Sequence, residues 1–331
     1  MDPITQGTLG ATLSESFSDK HKVKVAALLG CLGGLAPDID VLFQSPTDPL
    51  VFLEFHRQFT HSLIFIPIGA LICALLAWRF TKATLTFKET WWFCFLGYAT
   101  HGLLDACTTY GTQLLWPITN ERFAWNNVSI IDPMFTLPLL ILVIIGVRRK
   151  APMFSRIALA WAFTYLSIGL IQRDRAEDAG LELATSRGHS PIRIEAKPGF
   201  ANLLLWKIVY ETEDKFYVDA VRVGINTKIF QGEHIDKLDT ANHLPWLDPS
   251  SQQAADIKRF AWFSNDYLAM DRNIPNRIID IRYSMLPNEI NALWAIQLNP
   301  SAGISAHVDF TNNRDASSRN LSQLITMLLD D

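Results

Sequence analysis

The first half of this chain carries apolar runs too long and too free of charge to coat a water-soluble domain. Residues 62–80 (SLIFIPIGALICALLAWRF) hold no charge before Arg79. At about 1.5 Å per residue, a helix of that length matches a hydrocarbon core of about 30 Å. Residues 91–107 (WWFCFLGYATHGLLDAC) open on tryptophans suited to an interface and admit a His and an Asp only toward their far end. Residues 131–147 and 157–171 are shorter but strongly apolar, so four spans are expected. Pro67, Pro133 and Pro138 lie within or at the start of these runs, where neighbouring helices make proline tolerable. Residues 23–36 (VKVAALLGCLGGLA) are apolar but short for an independent span. With the weakly amphipathic residues 3–18 they read as a helical hairpin packed on the bundle, spanning or re-entrant, and the Gly33–Gly34 pair points to close packing.

Of the 331 residues 49% are hydrophobic and 19% charged, averages that conceal two unlike halves. All four cysteines (Cys31, Cys73, Cys94, Cys107) precede residue 172, each in or beside an apolar stretch, and read as small buried side chains. From Pro191 the pattern turns to period two. Residues 203–210, 216–223, 277–283 and 293–298 read as strands, with a hairpin turn at 211–215 and helices at 251–270 and 318–329. The expected fold is a mostly α membrane helical bundle in residues 1–172, followed by a C-terminal α+β soluble domain in residues 173–331. In that domain His189, His234, His243 and His307 stand isolated and read as surface or structural residues, and Asp174, Glu177 and Asp178 as a solvated charge run.

Lysine and arginine in short loops stay on the cytoplasmic side of spans. Arg79, Lys82 and Lys88 between the first two spans, Arg148, Arg149, Lys150 and Arg156 between the last two, and Lys20, Lys22 and Lys24 place those loops inside. Residues 37–62, 108–130 and everything after Arg173 then lie on the periplasmic side. A net charge of −4 without a basic, aromatic-rich stripe argues against a nucleic-acid partner. The opening MDPITQGTLG lacks the basic and apolar regions of a cleaved signal, so insertion is expected to rest on the internal spans.

This topology gathers three motifs at the outer face. APDID (36–40) delivers Asp38 and Asp40 where a proline interrupts an apolar helix. HRQFTHS (56–62) sets His56 and His61 beside Arg57, Thr60 and Ser62, immediately before a span; imidazole is a neutral nitrogen ligand for zinc and similar ions. HGLLD (101–105) projects His101 and Asp105 from one helical face at i and i+4, inside a span. Ionisable residues there are costly unless paired, ligated or hydrated. Asp38, Asp40, His56, His61, His101 and Asp105 are therefore the candidate ligands for one or two divalent ions, most readily zinc. A carboxylate left partly free, Asp38 or Asp105, would act as base, and Arg57 would steady an anionic group. Asp2 and Asp132 fall at the same face as second-rank candidates, and Asp132, directly before Pro133, suits a helix cap.

These motifs, with the Met1–Asp2 start and the glycine-rich first helix, resemble in order and spacing the YdjM family of bacterial inner-membrane metal-dependent hydrolases. The resemblance covers about the first 175 residues. Family members often carry His after the Thr of the opening motif, where this chain has Gln6. The family looks distantly similar to zinc-dependent phospholipases C, all-helical enzymes that use a His-xxx-Asp helix. That implies hydrolysis of a phosphoester, here a lipid or lipid-linked one reached from the bilayer. The alternative is a non-catalytic membrane protein, a metal-binding or scaffold module using the same cluster to hold helices together. A transporter ranks last, for want of an internal repeat.

Overall fold

A computed structural model describes residues 1–312 and 318–329. Helices run over α1 (Pro3–Ser16), α2 (Val23–Leu35), α3 (Val51–Phe55), α4 (Ile66–Thr81), α5 (Phe87–Cys107), α6 (Pro133–Arg149) and α7 (Met153–Ser186). There follow β1 (Arg193–Pro198), β2 (Leu205–Glu211), β3 (Lys215–Val223), β4 (Thr227–Asp236), α8 (Thr240–His243), α9 (Gln252–Ser264), β5 (Leu268–Met270), β6 (Arg277–Asp280), β7 (Trp294–Gln297), β8 (Asp309–Asn312) and α10 (Ser318–Leu329). The architecture is thus a region of apolar helices followed by a C-terminal domain of two antiparallel sheets with helices. Two compact units emerge: one of residues 1–42, 55–171 and 200–203, the other of residues 43–54, 172–199, 204–312 and 318–329.

In the helical unit, α1 is the most polar helix and the most enclosed, burying Thr5, Gln6, Thr8, Thr12, Ser14 and Glu15. Asp2 caps it, accepting from Ile4 N and Thr5 N, with Pro3 at the first position. Asp132 caps α6 the same way, through Met134 N and Phe135 N, and also accepts from the Tyr165 hydroxyl. Among the described residues, three stretches are long and apolar enough to cross a membrane: Val23–Leu42, Leu63–Thr81 and Met153–Ser186. The first is longer than the sequence suggests, because α2 passes directly into a 3-10 turn at Ala36–Leu42 in which Pro37 needs no amide donor. Helices α5 and α6 cover the other two expected runs, but α5 includes Lys88, Glu89 and Asp105, and α6 has 17 residues. Large apolar side chains point outward along α4 (Leu75, Leu76, Phe80) and α7 (Phe163, Ile171). In water such a surface would be a liability; in lipid it is the solvated face.

Helix α2 packs on α1 and α5 through glycine. A methyl group added at Gly97 on α5 would lie 2.1 Å from the Gly30 carbonyl on α2, and one at Gly102 would lie 2.3 Å from the His61 carbonyl. These backbones touch because no side chain intervenes.

In the second unit β1–β2–β3–β4 and β5–β6–β7–β8 are four-stranded meanders. Val209, Phe216, Val218 and Ile235 of the first sheet pack against Ala269, Ile279 and Ala295 of the second. The helix expected over 251–270 stops at Ser264, where Asn265 turns left-handed (φ 52°) and the chain enters β5. Strand β4 was not apparent in the pattern, because its side chains are mostly exposed and polar. The segment 43–54 folds with this unit: Arg259 of α9 pairs with Glu54 (Nε to Oε1, 2.6 Å), Asp48 (2.9 Å) and Asp256 (2.8 Å). His307, isolated in sequence, lies 2.9 Å from Asp256.

Lys207 of β2 is buried between hydrogen bonds to Ser284 Oγ (2.7 Å) and the Glu289 carbonyl (2.8 Å). Burial pulls its ammonium down to about 7, with partial compensation from Asp280. A depressed lysine means that the unfolded chain binds more protons between that value and the ordinary one. The chain is therefore expected to gain stability as pH rises from about 7 toward about 10, seen as larger protection factors for β2 amides once the rise in intrinsic exchange rate is divided out, and Lys207→Met is expected to abolish that gain. Gly97→Ala is expected to lower the apparent Tm in detergent, at a cost of about 1–3 kcal/mol.

Candidate metal centre

Four side chains from three chain segments meet in the helical unit. Asp38 comes from the 3-10 turn after α2, His61 from the short turn before α4, and His101 and Asp105 from successive turns of α5. One ligand atom from each lies within 4.8 Å of all the others. His61 Nε2 and His101 Nε2 are 2.9 Å apart. Asp38 Oδ1 stands 3.6 Å and 3.3 Å from them, and Asp105 Oδ2 stands 3.4 Å and 3.9 Å away. A tetrahedral ion with bonds of about 2.0–2.1 Å has ligands about 3.3–3.4 Å apart, so these separations need only small adjustments.

The hydrogen bonds behind the imidazoles decide which way their lone pairs face. His101 Nδ1 lies 2.6 Å from the Gly34 carbonyl, an acceptor only, so Nδ1 carries a proton and Nε2 is the nitrogen turned toward the cluster. His61 Nδ1 lies 3.1 Å from Asp40 Oδ2 and 3.0 Å from Thr60 Oγ1, whose own hydroxyl donates to Asp40. Its Nε2 is therefore directed at that of His101. Two bare nitrogens at such a distance repel unless a cation stands between them, either a proton or a metal ion. Burial alone would lower the His61 pKa, but Asp105, Asp38 and Asp40 outweigh it and raise the imidazole to about 10. The pocket selects for positive charge.

Asp40 and His56 stand one layer behind. Asp40 accepts from His56 Nδ1 (2.8 Å), Arg57 N (3.0 Å) and Thr60 Oγ1 (2.8 Å), and so orients the HRQFTHS loop. With Asp38 these two make a second group able to hold an ion. Arg57, buried and left-handed (φ 66°), sets Nε 3.0 Å from Asp105 Oδ2, donates to Thr108 Oγ1 (3.0 Å) and lies over the Tyr110 ring. Asp105 Oδ1 accepts from Gln6 Nε2 (2.8 Å) and pairs with the Met1 amine. Asp105 Oδ2 is buried without a hydrogen bond and faces the imidazoles. Asp38 is the solvent-accessible member, its side chain 26% exposed, while His61, His101 and Asp105 are enclosed.

The six candidate ligands are therefore adjacent, whereas Asp2 and Asp132 are occupied as caps. Sequence reasoning passed over the Gly34 carbonyl and Thr108, which carry no chemical signature of their own, and marked Thr60 only as a hydroxyl near the histidines. Gln6 was marked only by its departure from the family pattern. In the second unit, Asp48, Asp256 and His307 also converge, but Arg259 already occupies their carboxylates.

A family model described as YdjM inner membrane protein matches residues 1–176. The inner membrane protein YbcI of Escherichia coli (strain K12) is 35% identical to the chain over 105 residues, covering 30% of this chain and 60% of that relative. The chain thus spans less than two thirds of the curated relative that it matches. No solved structure matches it.

Metal analysis of detergent-purified protein is expected to find a divalent ion that His61→Ala and His101→Ala both remove and His56→Ala retains. Equal metal in all four proteins would show that the imidazole pair is not the ligand.

Proposed function

The chain belongs to the YdjM inner membrane protein family, and on that premise we propose that it is an integral-membrane, metal-dependent hydrolase of a lipid or lipid-linked phosphoester. In this reading the site opens at the periplasmic face of the inner membrane and the C-terminal domain lies on the same side, as the loop charges suggest. The observation that carries it is the pair of imidazole Nε2 atoms 2.9 Å apart, bordered by Asp38 and Asp105.

Asp38, His61, His101 and Asp105 would hold the ion, and the mixed nitrogen and oxygen donor set suits zinc. A divalent ion there supplies Lewis-acid polarisation and a bound water of lowered pKa. Asp40 fixes the His61 tautomer, and the Gly34 carbonyl fixes that of His101. Asp38, the ligand in reach of solvent, is placed to take a proton from an incoming water. Arg57, anchored by Asp105 and Thr108, brings a permanent positive charge to the side where phosphoryl oxygens would gather.

One observation favours a second reading: four protein donors can complete a tetrahedral shell, the hallmark of a structural site. The zinc-loaded chain in nanodiscs, offered phospholipids and bis-p-nitrophenyl phosphate, separates the two. Hydrolysis is expected that chelation removes and that Asp38→Asn lowers by about 10²-fold or more. A chain that retains its metal but releases no product would sink the hydrolase and leave the scaffold.

A further inference from the structure

The β3–β4 hairpin ends in Gly224-Ile225-Asn226, and Ile225 is fully exposed. Glycine and asparagine are ordinary turn residues; a bare isoleucine between them is not, since a polar residue would serve the turn equally well at no hydrophobic cost. The tip does not hang free. Gln172 Nε2 donates to the Val223 carbonyl (2.8 Å), and Arg175 NH2 donates to the Gly224 carbonyl (2.8 Å). Arg175 NH1 in turn holds Gln172 Oε1 at 2.6 Å, so the two helix residues form one clamp.

That clamp sits at a defined place on α7. Gln172 immediately follows Ile171, the last residue of an apolar stretch whose Phe163, Ile168 and Ile171 are exposed, on a helix long and apolar enough to cross a membrane. The tip is therefore fastened beside the first turn after the hydrocarbon-facing part of the helix. Leu204, whose carbonyl accepts from Val223 N (2.7 Å), adds a second exposed apolar side chain next to it. Arg173 and Arg175, on the same turn of α7, supply the cationic side chains that border a bilayer interface.

We propose that this hairpin tip is a lipid anchor, with Ile225 inserted at the bilayer interface alongside α7. The occupant is lipid because the tip is continuous, through two hydrogen bonds, with a helix whose adjoining face is solvated by hydrocarbon. The proposal is independent of the metal centre.

The test uses the full chain carrying Ile225→Cys and Cys31→Ala, the remaining cysteines being buried, labelled with an environment-sensitive NBD fluorophore. The labelled protein is reconstituted in phosphatidylethanolamine and phosphatidylglycerol vesicles, with or without bromine on the acyl chains. A blue-shifted emission that brominated lipid largely extinguishes and aqueous iodide scarcely touches is the expected result. A label quenched by iodide and indifferent to bromolipid would overturn the proposal. So would a label shielded from both, which would mean that protein covers the tip. Matching elution and circular dichroism of labelled and wild-type chains ensure that a negative result speaks of the anchor rather than of misfolding.

Discussion

The close approach of α2 to α5 at Gly30 and Gly97 governs what the rest of the helical unit can do. With a methyl-free contact there, the α2 backbone runs near enough to α5 for the Gly34 carbonyl to reach His101 Nδ1 at 2.6 Å. One turn further, the same helix end supplies Asp38 and Asp40. A second glycine contact, Gly102 against the His61 carbonyl, seats the HRQFTHS loop on the same face of α5. Separating the helices by the width of a side chain would take the accepting Gly34 carbonyl from His101 and unseat His61 together, because both histidines owe their position to backbone approaches that glycine allows. Packing and chemistry are here a single constraint.

Charge balance follows from that geometry. Asp38, Asp40 and Asp105 crowd two imidazoles in a largely enclosed region, and Arg57 and the Met1 amine answer only part of their negative charge. A low-dielectric pocket with surplus carboxylate tolerates its own burial only by taking in a cation. This accounts for the raised affinity of His61 for a proton, and equally for the attraction of a divalent ion with which that proton would compete.

Much of this was legible in the sequence, and for a physical reason. Ionisable residues inside apolar runs are expensive, so His101 and Asp105 at i and i+4 stand out against 91–107, and the loop charges assign PDID and HRQFTHS to the same face. Which carboxylate faces the imidazoles and which one orients them was not legible: Asp38 and Asp40 differ only in the direction that a 3-10 turn gives each side chain. The partners of His307 and the edge strand β4 escaped for related reasons. The first depends on Asp256, distant in sequence, and the second has too little apolar content to show a period.

Helix α1 shows why hydropathy alone misreads such a chain. Nine of its fourteen residues are threonine, serine, glutamine, glycine and a glutamate, so its apolar face is weak, yet it is enclosed on nearly every side. In water a helix of this kind would remain at the surface. Among lipid-facing helices the order inverts: α4 and the first part of α7 can turn isoleucine, leucine and phenylalanine outward, and polar groups are retained inside where they find partners. Thr5 meets Thr136, Ser14 donates to the Phe93 carbonyl, and Gln6 reaches Asp105. The polar helix thus reaches the candidate metal centre through Gln6, beside the α5 residues that would hold the ion, and the outward faces of α4 and α7 act as insulation.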